Sequence, residues 1–475
     1  MKLKLILFLL AAFFWAGISH LEAQVKVASI FNDNMVLQQK TKAPVWGRAL
    51  PGKKISITVS WQEAPCETVA GKDSTWRVFI PTLEASFDKQ TITISSEGSS
   101  KTIGNVLIGE VWLCSGQSNM EMPMKGYSSQ PVLGGQDDIA RSGNDFLRCF
   151  TVGRNITLEK QNSCTGRWEI ASPNTTPNFT ATGYYFARLL QDVLGIPVGI
   201  IHSSVGGSAI EAWIPRETFE KDFSSIAIPD DISNEKRQVL VPTVLFNGMI
   251  NPIAGYAIKG AVWYQGEANV PRYQEYPRMF AAMHKAWMKY WDNDKLPIYL
   301  CQIAPFRFRD NAGNAFLREA QLKIARTQPN TGIAILMDTG EEMCIHPANK
   351  KAAGERLAYI ALARNYGFSN LPYQAPVFSK AEYQNGKAIL SFENTGLGFT
   401  SFNQPLSGFE LAGSDRKFHP ASATIVRGKI EVESQAVPAP VAVRYAFKGY
   451  IKGSLFGSNG LPVSSFRSDD WDDVR

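Results

Sequence analysis

Near-continuous apolar runs alternate with stretches of helical periodicity between residues 106 and 365, and no other feature restricts the fold of this chain as much. The apolar runs are 106–113, 198–201, 257–263, 297–302 and 332–337. The helical stretches are 183–193, 273–291, 314–326 and 347–365; in the first, Tyr185, Leu189, Leu190 and Val193 share a face. Strands without polar alternation are buried on both sides. The pattern therefore predicts an α/β fold: a five-stranded parallel sheet, covered by helices on both faces, in a flavodoxin-like order 2-1-3-4-5 with the ligand at the carboxyl ends of the strands. Pro347 suits the first position of the last helix.

Both flanks read differently. Residues 24–105 carry short apolar stretches broken by turns such as Pro51-Gly52, with alternation in Lys54-Ile55-Ser56-Ile57. This spacing predicts a small all-β sandwich. Short strands return after Pro372, with Asn385-Gly386 marking a hairpin turn. A chain of 475 residues accommodates two or three domains. The expected division is 24–105, 106–372 and 373–475, and the two β regions could pack together as one module.

The first residues are expected to leave the protein. Lys2 and Lys4 precede a 14-residue apolar run, 5–18, and small Ala23 offers a cleavage point. That is a secretory signal peptide pattern over 1–23. The run is shorter than the roughly 20 residues a membrane helix needs, so a secreted or periplasmic protein without a stable membrane span is expected. None of the six Cys forms a CxxC pair or a Cys/His zinc spacing. Cys149 and Cys164 flank a polar loop and are candidates for a disulfide, or for two free thiols. The formal charge of +6 is spread along the chain with no basic run, which argues against nucleic acid.

The chemistry gathers where strands should end. The first strand runs into Cys114-Ser115-Gly116-Gln117-Ser118-Asn119-Met120. A serine there can expose its hydroxyl beside backbone N–H groups, as an acyl-transfer nucleophile requires. On the local pattern alone, a serine capping the next helix is the commoner explanation. A base narrows the choice. His346 lies between the fifth strand and the last helix, on the same sheet edge as Ser118. His202 ends the second strand and is its rival, although a core histidine explains it more readily. Gly206 and Gly207 permit close backbone approach, and Gln265 with Glu267 places an amide and a carboxylate at that edge.

Four of these motifs together resemble the sialate O-acetylesterase family of SGNH-type hydrolases, related to acetylxylan esterases. They are Gly116-Gln117-Ser118-Asn119-Met120, Gly206-Gly207-Ser208 before Glu211-Ala212-Trp213, Trp263-Tyr264-Gln265-Gly266-Glu267, and Ile345-His346-Pro347. The resemblance implies a three-layer hydrolase sandwich and a serine carbohydrate esterase with no metal or cofactor. It implies Ser118 as nucleophile, His346 as base, and an oxyanion hole from the Ser118 N–H, Gly206 or Gly207, and Gln265. Asn119 and Glu267, in the loops of the same edge, are further candidates for oxyanion or substrate binding. The family often carries an Asp where this chain has Cys344. The partner of His346 is therefore open among Glu341, Glu342, Asp338, Glu267 and a backbone carbonyl, and Cys344 could pair with Cys301.

The expected partner is an acetylated carbohydrate, either a sialic acid or a xylan-like glycan. A non-catalytic carbohydrate-binding protein is the reading from another class. A sialic acid carboxylate calls for a cation near Ser118, with Arg307 and Arg309 as candidates.

Overall fold

The computed structural model describes residues 25–307 and 313–472. The expected leader and Arg309 lie outside the described residues. The longest strand, β1 (Ser99–Gly116), has 18 residues. After it come α1 (Ser118–Glu121), β2 (Asn144–Thr151), β3 (Trp168–Ala171), α2 (Ala181–Leu194), β4 (Val198–Ser204), β5 (Gly260–Tyr264), α3 (Tyr276–Tyr290), β6 (Ile298–Cys301), α4 (Gly313–Thr327), β7 (Thr331–Ala334) and α5 (Lys350–Asn365). The strands lie in the order β3-β2-β4-β1-β5-β6-β7. Every pairing from β2 to β7 is parallel, and β3 runs antiparallel on β2. The five anticipated runs stand in the order 2-1-3-4-5. The parallel set nonetheless has a sixth member, because β2 is added outside β4; this corrects the expected strand count.

The strand sequences explain the layering. Every residue of β4, β5 and β6 is buried, and successive side chains point to opposite faces. On one face Leu113, Ile201, Ala261, Trp263 and Leu300 pack with Phe280, Met283 and Trp287 of α3 and Leu317 of α4. On the other, Trp112, Ile200, Val262 and Tyr299 pack with Phe186 and Leu190 of α2 and Leu357 and Ala361 of α5. Trp263 meets Trp213 and Trp287 edge-on, with ring centroids 6.0 and 5.8 Å away. Truncating a buried Trp of this kind to Ala costs about 3–5 kcal/mol.

Helix boundaries follow capping chemistry. Thr180 starts α2 by accepting from Gly183 N, and Gly195 at φ 64° ends it. Helix α5 begins at Lys350 rather than Pro347. Asn349 is the cap and accepts from Ala352 N at 3.1 Å, so Pro347 stays in the preceding loop.

The flanks attach to the central sheet separately. At the N-terminal side, strands Lys26–Val27, Lys42–Arg48 and Thr75–Pro81 form one antiparallel sheet. Strand Ser86–Ser96 pairs antiparallel with the first part of β1, and Val36–Gln38 pairs parallel with its middle. Strand β1 thus crosses the expected 105/106 boundary without a break. Ile55, Ile57, Ile92 and Ile94 join the same cluster as Leu113 and Trp263. The C-terminal strands form two four-stranded sheets and a two-stranded one, and they bury a cluster that reaches Ile335 and Met337 after β7. Among the described residues the two flanks share no hydrophobic cluster, so they do not form one module. No described helix is long and apolar enough to cross a membrane.

All six cysteines are free thiols, which corrects both candidate pairings. Cys149 packs on the α2 side of the sheet and Cys164 against the opposite cluster, so the sheet separates them. Cys301 is buried in the α2-side cluster, whereas Cys344 Sγ donates to the His346 carbonyl at 3.3 Å.

Candidate active site

Parallel register brings three strand ends level. Gly116 of β1 stands opposite Ser204 of β4 on one side and Tyr264 of β5 on the other. The loops that follow leave from one edge, where ligands of such sheets bind. Backbone bonds hold them together: Gln117 N donates to Tyr264 O at 2.9 Å and Val205 N to Gly116 O at 3.1 Å. Gln117 Oε1 also accepts from Gly266 N at 3.2 Å.

Ser118 opens α1 on this edge, and His346 comes to it from the loop before α5. Ser118 Oγ lies 2.8 Å from His346 Nε2, and His346 Nδ1 lies 2.7 Å from Gln130 Oε1. Nδ1–H donates to the amide oxygen, which leaves the Nε2 lone pair to accept the serine O–H. The Tyr127 ring stands edge-on to the imidazole at 5.3 Å. Its hydroxyl donates to Ser118 O at 3.2 Å and more weakly to Glu121 Oε2 at 3.4 Å.

The glycine turn lies beside the serine. A Cβ on Gly206 would come within 3.4 Å of Ser118 Cβ. The Gly206 N–H is not free, since it donates to Glu121 Oε2 at 2.7 Å. Gly207 has φ 71°, and a Cβ there would lie 3.7 Å from Nη2 of Arg237, an exposed side chain.

The model of the family described as "carbohydrate esterase, sialic acid-specific acetylesterase" matches residues 108–362 of this chain. The chain belongs to this family. The human sialate O-acetylesterase is 28% identical over 408 residues, covering 77% of this chain and 76% of the human one. The mouse sialate O-acetylesterase is 26% identical over 429 residues, covering 77% and 78%. A crystal structure of a carbohydrate acetylesterase from Xanthomonas citri superposes with a TM-score of 0.85 at 34% identity, covering 94% of this chain and all of that one. The protein is a carboxylic-ester hydrolase of the carbohydrate O-acetylesterase type.

In this esterase the acids expected beside His346 are engaged elsewhere. Glu341 Oε1 accepts from Ala348 N at 2.7 Å, and Glu342 pairs with Arg307. Asp338 receives two hydrogen bonds from Arg356, at 2.7 and 2.6 Å. The partner of His346 Nδ1 is Gln130, a neutral amide, which corrects the candidates Glu341, Glu342, Asp338, Glu267 and a backbone carbonyl.

Gln265 is also corrected as an oxyanion donor. Its Nε2 donates to Ser208 O at 3.1 Å and Asn269 Oδ1 at 2.7 Å, so both N–H groups are spent. Asn269 in turn donates to Glu211 Oε2 at 2.9 Å, and Arg272 pairs with the other Glu211 oxygen at 2.9 Å. The Glu211 motif therefore serves the scaffold. Asn119 is buried and Glu267 half-buried, and they are bonded to the scaffold instead of standing free for substrate: Asn119 Nδ2 donates to Glu267 Oε1 at 2.6 Å and to Ile345 O at 3.1 Å. His202 is a core residue whose Nε2 meets Ser204 Oγ at 2.5 Å.

Burial, aided by the charge of Lys350, pushes the His346 imidazole down to about 4. It is thus the free base at neutral pH. Sequence reasoning missed Gln130, Tyr127 and Lys350. The first two sit in a polar loop without periodicity, and nothing marks them locally.

Proposed function

We propose that Ser118 is the nucleophile and His346 the general base of an acetyl-enzyme mechanism, and that the substrate is an O-acetylated sialic acid. The observation that carries the mechanism is the 2.8 Å contact between Ser118 Oγ and His346 Nε2. Ser118 Oγ attacks the acetyl carbonyl while Nε2 takes its proton. His346 then returns that proton to the departing sugar hydroxyl. A water, deprotonated by the same Nε2, releases acetate and restores Ser118. The Ser118 N–H, first in its helix and without an intrahelical acceptor, is one oxyanion donor. Gly206 N–H is the second once the acetyl oxygen replaces the Glu121 carboxylate on it.

Gln130 fixes the imidazole tautomer without adding a counter-charge. With the His346 pKa near 4, the acid limb of kcat/KM should fall near that pH. Gln130→Glu places a carboxylate on Nδ1, which favours the imidazolium and raises the pKa. The limb should therefore move alkaline by roughly 1–2 pH units, as read from a pH–rate profile with p-nitrophenyl acetate. An unmoved limb would remove Gln130 from this role.

The sialate reading is supported by the names of the human and mouse relatives and by Arg237 beside the Gly207 turn. Its guanidinium suits a sugar carboxylate, whereas Arg307 is already paired with Glu342. A second reading, a neutral xylan-like glycan, is favoured by the Glu121 carboxylate next to Gly206, which repels an anion. Acetate release from O-acetylated sialic acids and acetylated xylans tests the two. The expected result is faster release from the sialic acids, with Arg237→Ala lowering the sialate-to-xylan ratio of kcat/KM about tenfold. Faster release from xylan overturns the sialate assignment.

The same reading makes residues 106–372 the SGNH-hydrolase part, joined without a break through β1 to the β flank 24–105, with 373–475 the second β flank and 1–23 the leader of a secreted or periplasmic enzyme. The sheet order and the gathering of loops at one edge support the hydrolase part of that plan.

A further inference from the structure

A polar network is buried directly behind Ser118 and His346, although a sheet core ordinarily excludes charges. Lys350, first residue of α5, is 1% exposed. Its Nζ donates to Asn119 Oδ1 at 2.5 Å. The two N–H groups of Asn119 go to Glu267 Oε1 and to the carbonyl of Ile345. Asn119 follows Ser118 in the chain and Ile345 precedes His346, so one amide ties the serine's turn to the histidine's loop. Burying an ammonium and a carboxylate costs several kcal/mol for each ion unless partners compensate. Here the compensation runs through Asn119, with Glu267 on one side and Lys350 on the other.

We propose that Lys350 is a positioning residue: it orients Asn119, which clamps the Ser118 turn against the His346 loop, and it holds a positive charge behind the imidazole. This rests on the assignment of Ser118 and His346 given above. Burial lowers the Lys350 pKa to about 8, so it stays mostly charged at neutral pH; the groups that favour its charge are Glu267 after β5, Cys301 of β6, and Cys344 and Glu341 of the loop before α5, and the Tyr264 ring of β5 lies at 5.8 Å. His346 is faced by Ser118, Gln130 and the Tyr127 ring. Burial lowers the pKa of its ring most, and the charge of Lys350 lowers it further. The cation therefore extends toward acid pH the range over which the base can accept the Ser118 proton.

The test is the pH dependence of kcat/KM for p-nitrophenyl acetate in the wild type, Lys350→Gln and Lys350→Met. Both variants remove the charge, so the acid limb should move alkaline by roughly half to one pH unit. Gln still donates to Asn119 and Met does not, so kcat should fall about tenfold more in the Met variant, with the loss in kcat and not in KM. A limb that stays in place in both variants overturns the inference. If Lys350→Met does not fold, Lys350→Gln carries the test; unfolding of both, seen by circular dichroism, assigns Lys350 to fold stability alone and also overturns it. Ser118→Ala is the control for the underlying reading. Activity surviving in Ser118→Ala defeats that reading, whereas loss there with unmoved limbs in the Lys350 variants defeats only the role of Lys350.

Discussion

Ser118→Ala should lower kcat for p-nitrophenyl acetate by roughly 10⁴–10⁶-fold, because the alanine leaves His346 Nε2 with no nucleophile 2.8 Å away. His346→Ala should cost a similar factor. The double variant should be no slower than either single one, since two residues that act as a unit are not additive. His202→Ala gives the contrast. Its ring is engaged with Ser204 in the core, so the folded variant should keep turnover. Equal rates for wild type and Ser118→Ala, or a loss confined to His202→Ala, would sink the assignment.

The second large effect is expected at Gly116, where β1 ends. Its φ is 138°, a region that L side chains rarely adopt, and a Cβ there would come within 2.1 Å of the Tyr264 carbonyl oxygen. The obstacle is backbone of the neighbouring strand, which no rotamer change can relieve. Gly116→Ala should break the Gly116–Tyr264 pairing and the Gln117–Tyr264 hydrogen bond, and so displace Ser118 as well. Strain and overpacking of this kind cost more than about 3 kcal/mol. The expected outcome is a strongly lowered melting temperature or loss of soluble protein. Gly143→Ala, where a Cβ meets nothing within 4 Å, sets the baseline. A Gly116→Ala variant that melts with that control would show the strand exit to be tolerant.

Strands made wholly of apolar residues were legible in the sequence, because burial on both faces leaves no ambiguity about what they pack against. Strand β2 was not. Its run is interrupted by Arg148, which is fully buried and satisfied by the carbonyls of Asn34, Asn105 and Asp145. A guanidinium reads as solvent-facing when the carbonyls of Asn34 and Asn105, distant in sequence, are unknown. The site divides in the same way. Ser118 and His346 could be placed from strand order, since loops at one sheet edge converge. Gln130 could not, because an uncharged amide in a loop carries no electrostatic or periodic signature. The expectation of an acid at its place led to Glu341 and Glu342, whose own partners, Ala348 N and Arg307, depend on loop geometry. Gln265 misled for a related reason: its position at the edge was right, but its amide turns inward to Ser208 and Asn269.

Strand β1 carries both the first flank and the loop of Ser118, and this bears on how the protein can be shortened. Cutting at 105/106 would sever one 18-residue strand and strip it of Val36–Gln38 and Ser86–Ser96. The remaining half-strand would present bare N–H and C=O groups beside an uncovered apolar face, a template for edge-to-edge aggregation. The minimal catalytic unit therefore begins near the start of the described chain. Because β1 runs unbroken from the first flank to the loop of Ser118, anything held where that flank pairs with β1 would stay at a fixed distance from Ser118, as if measured along a rigid ruler.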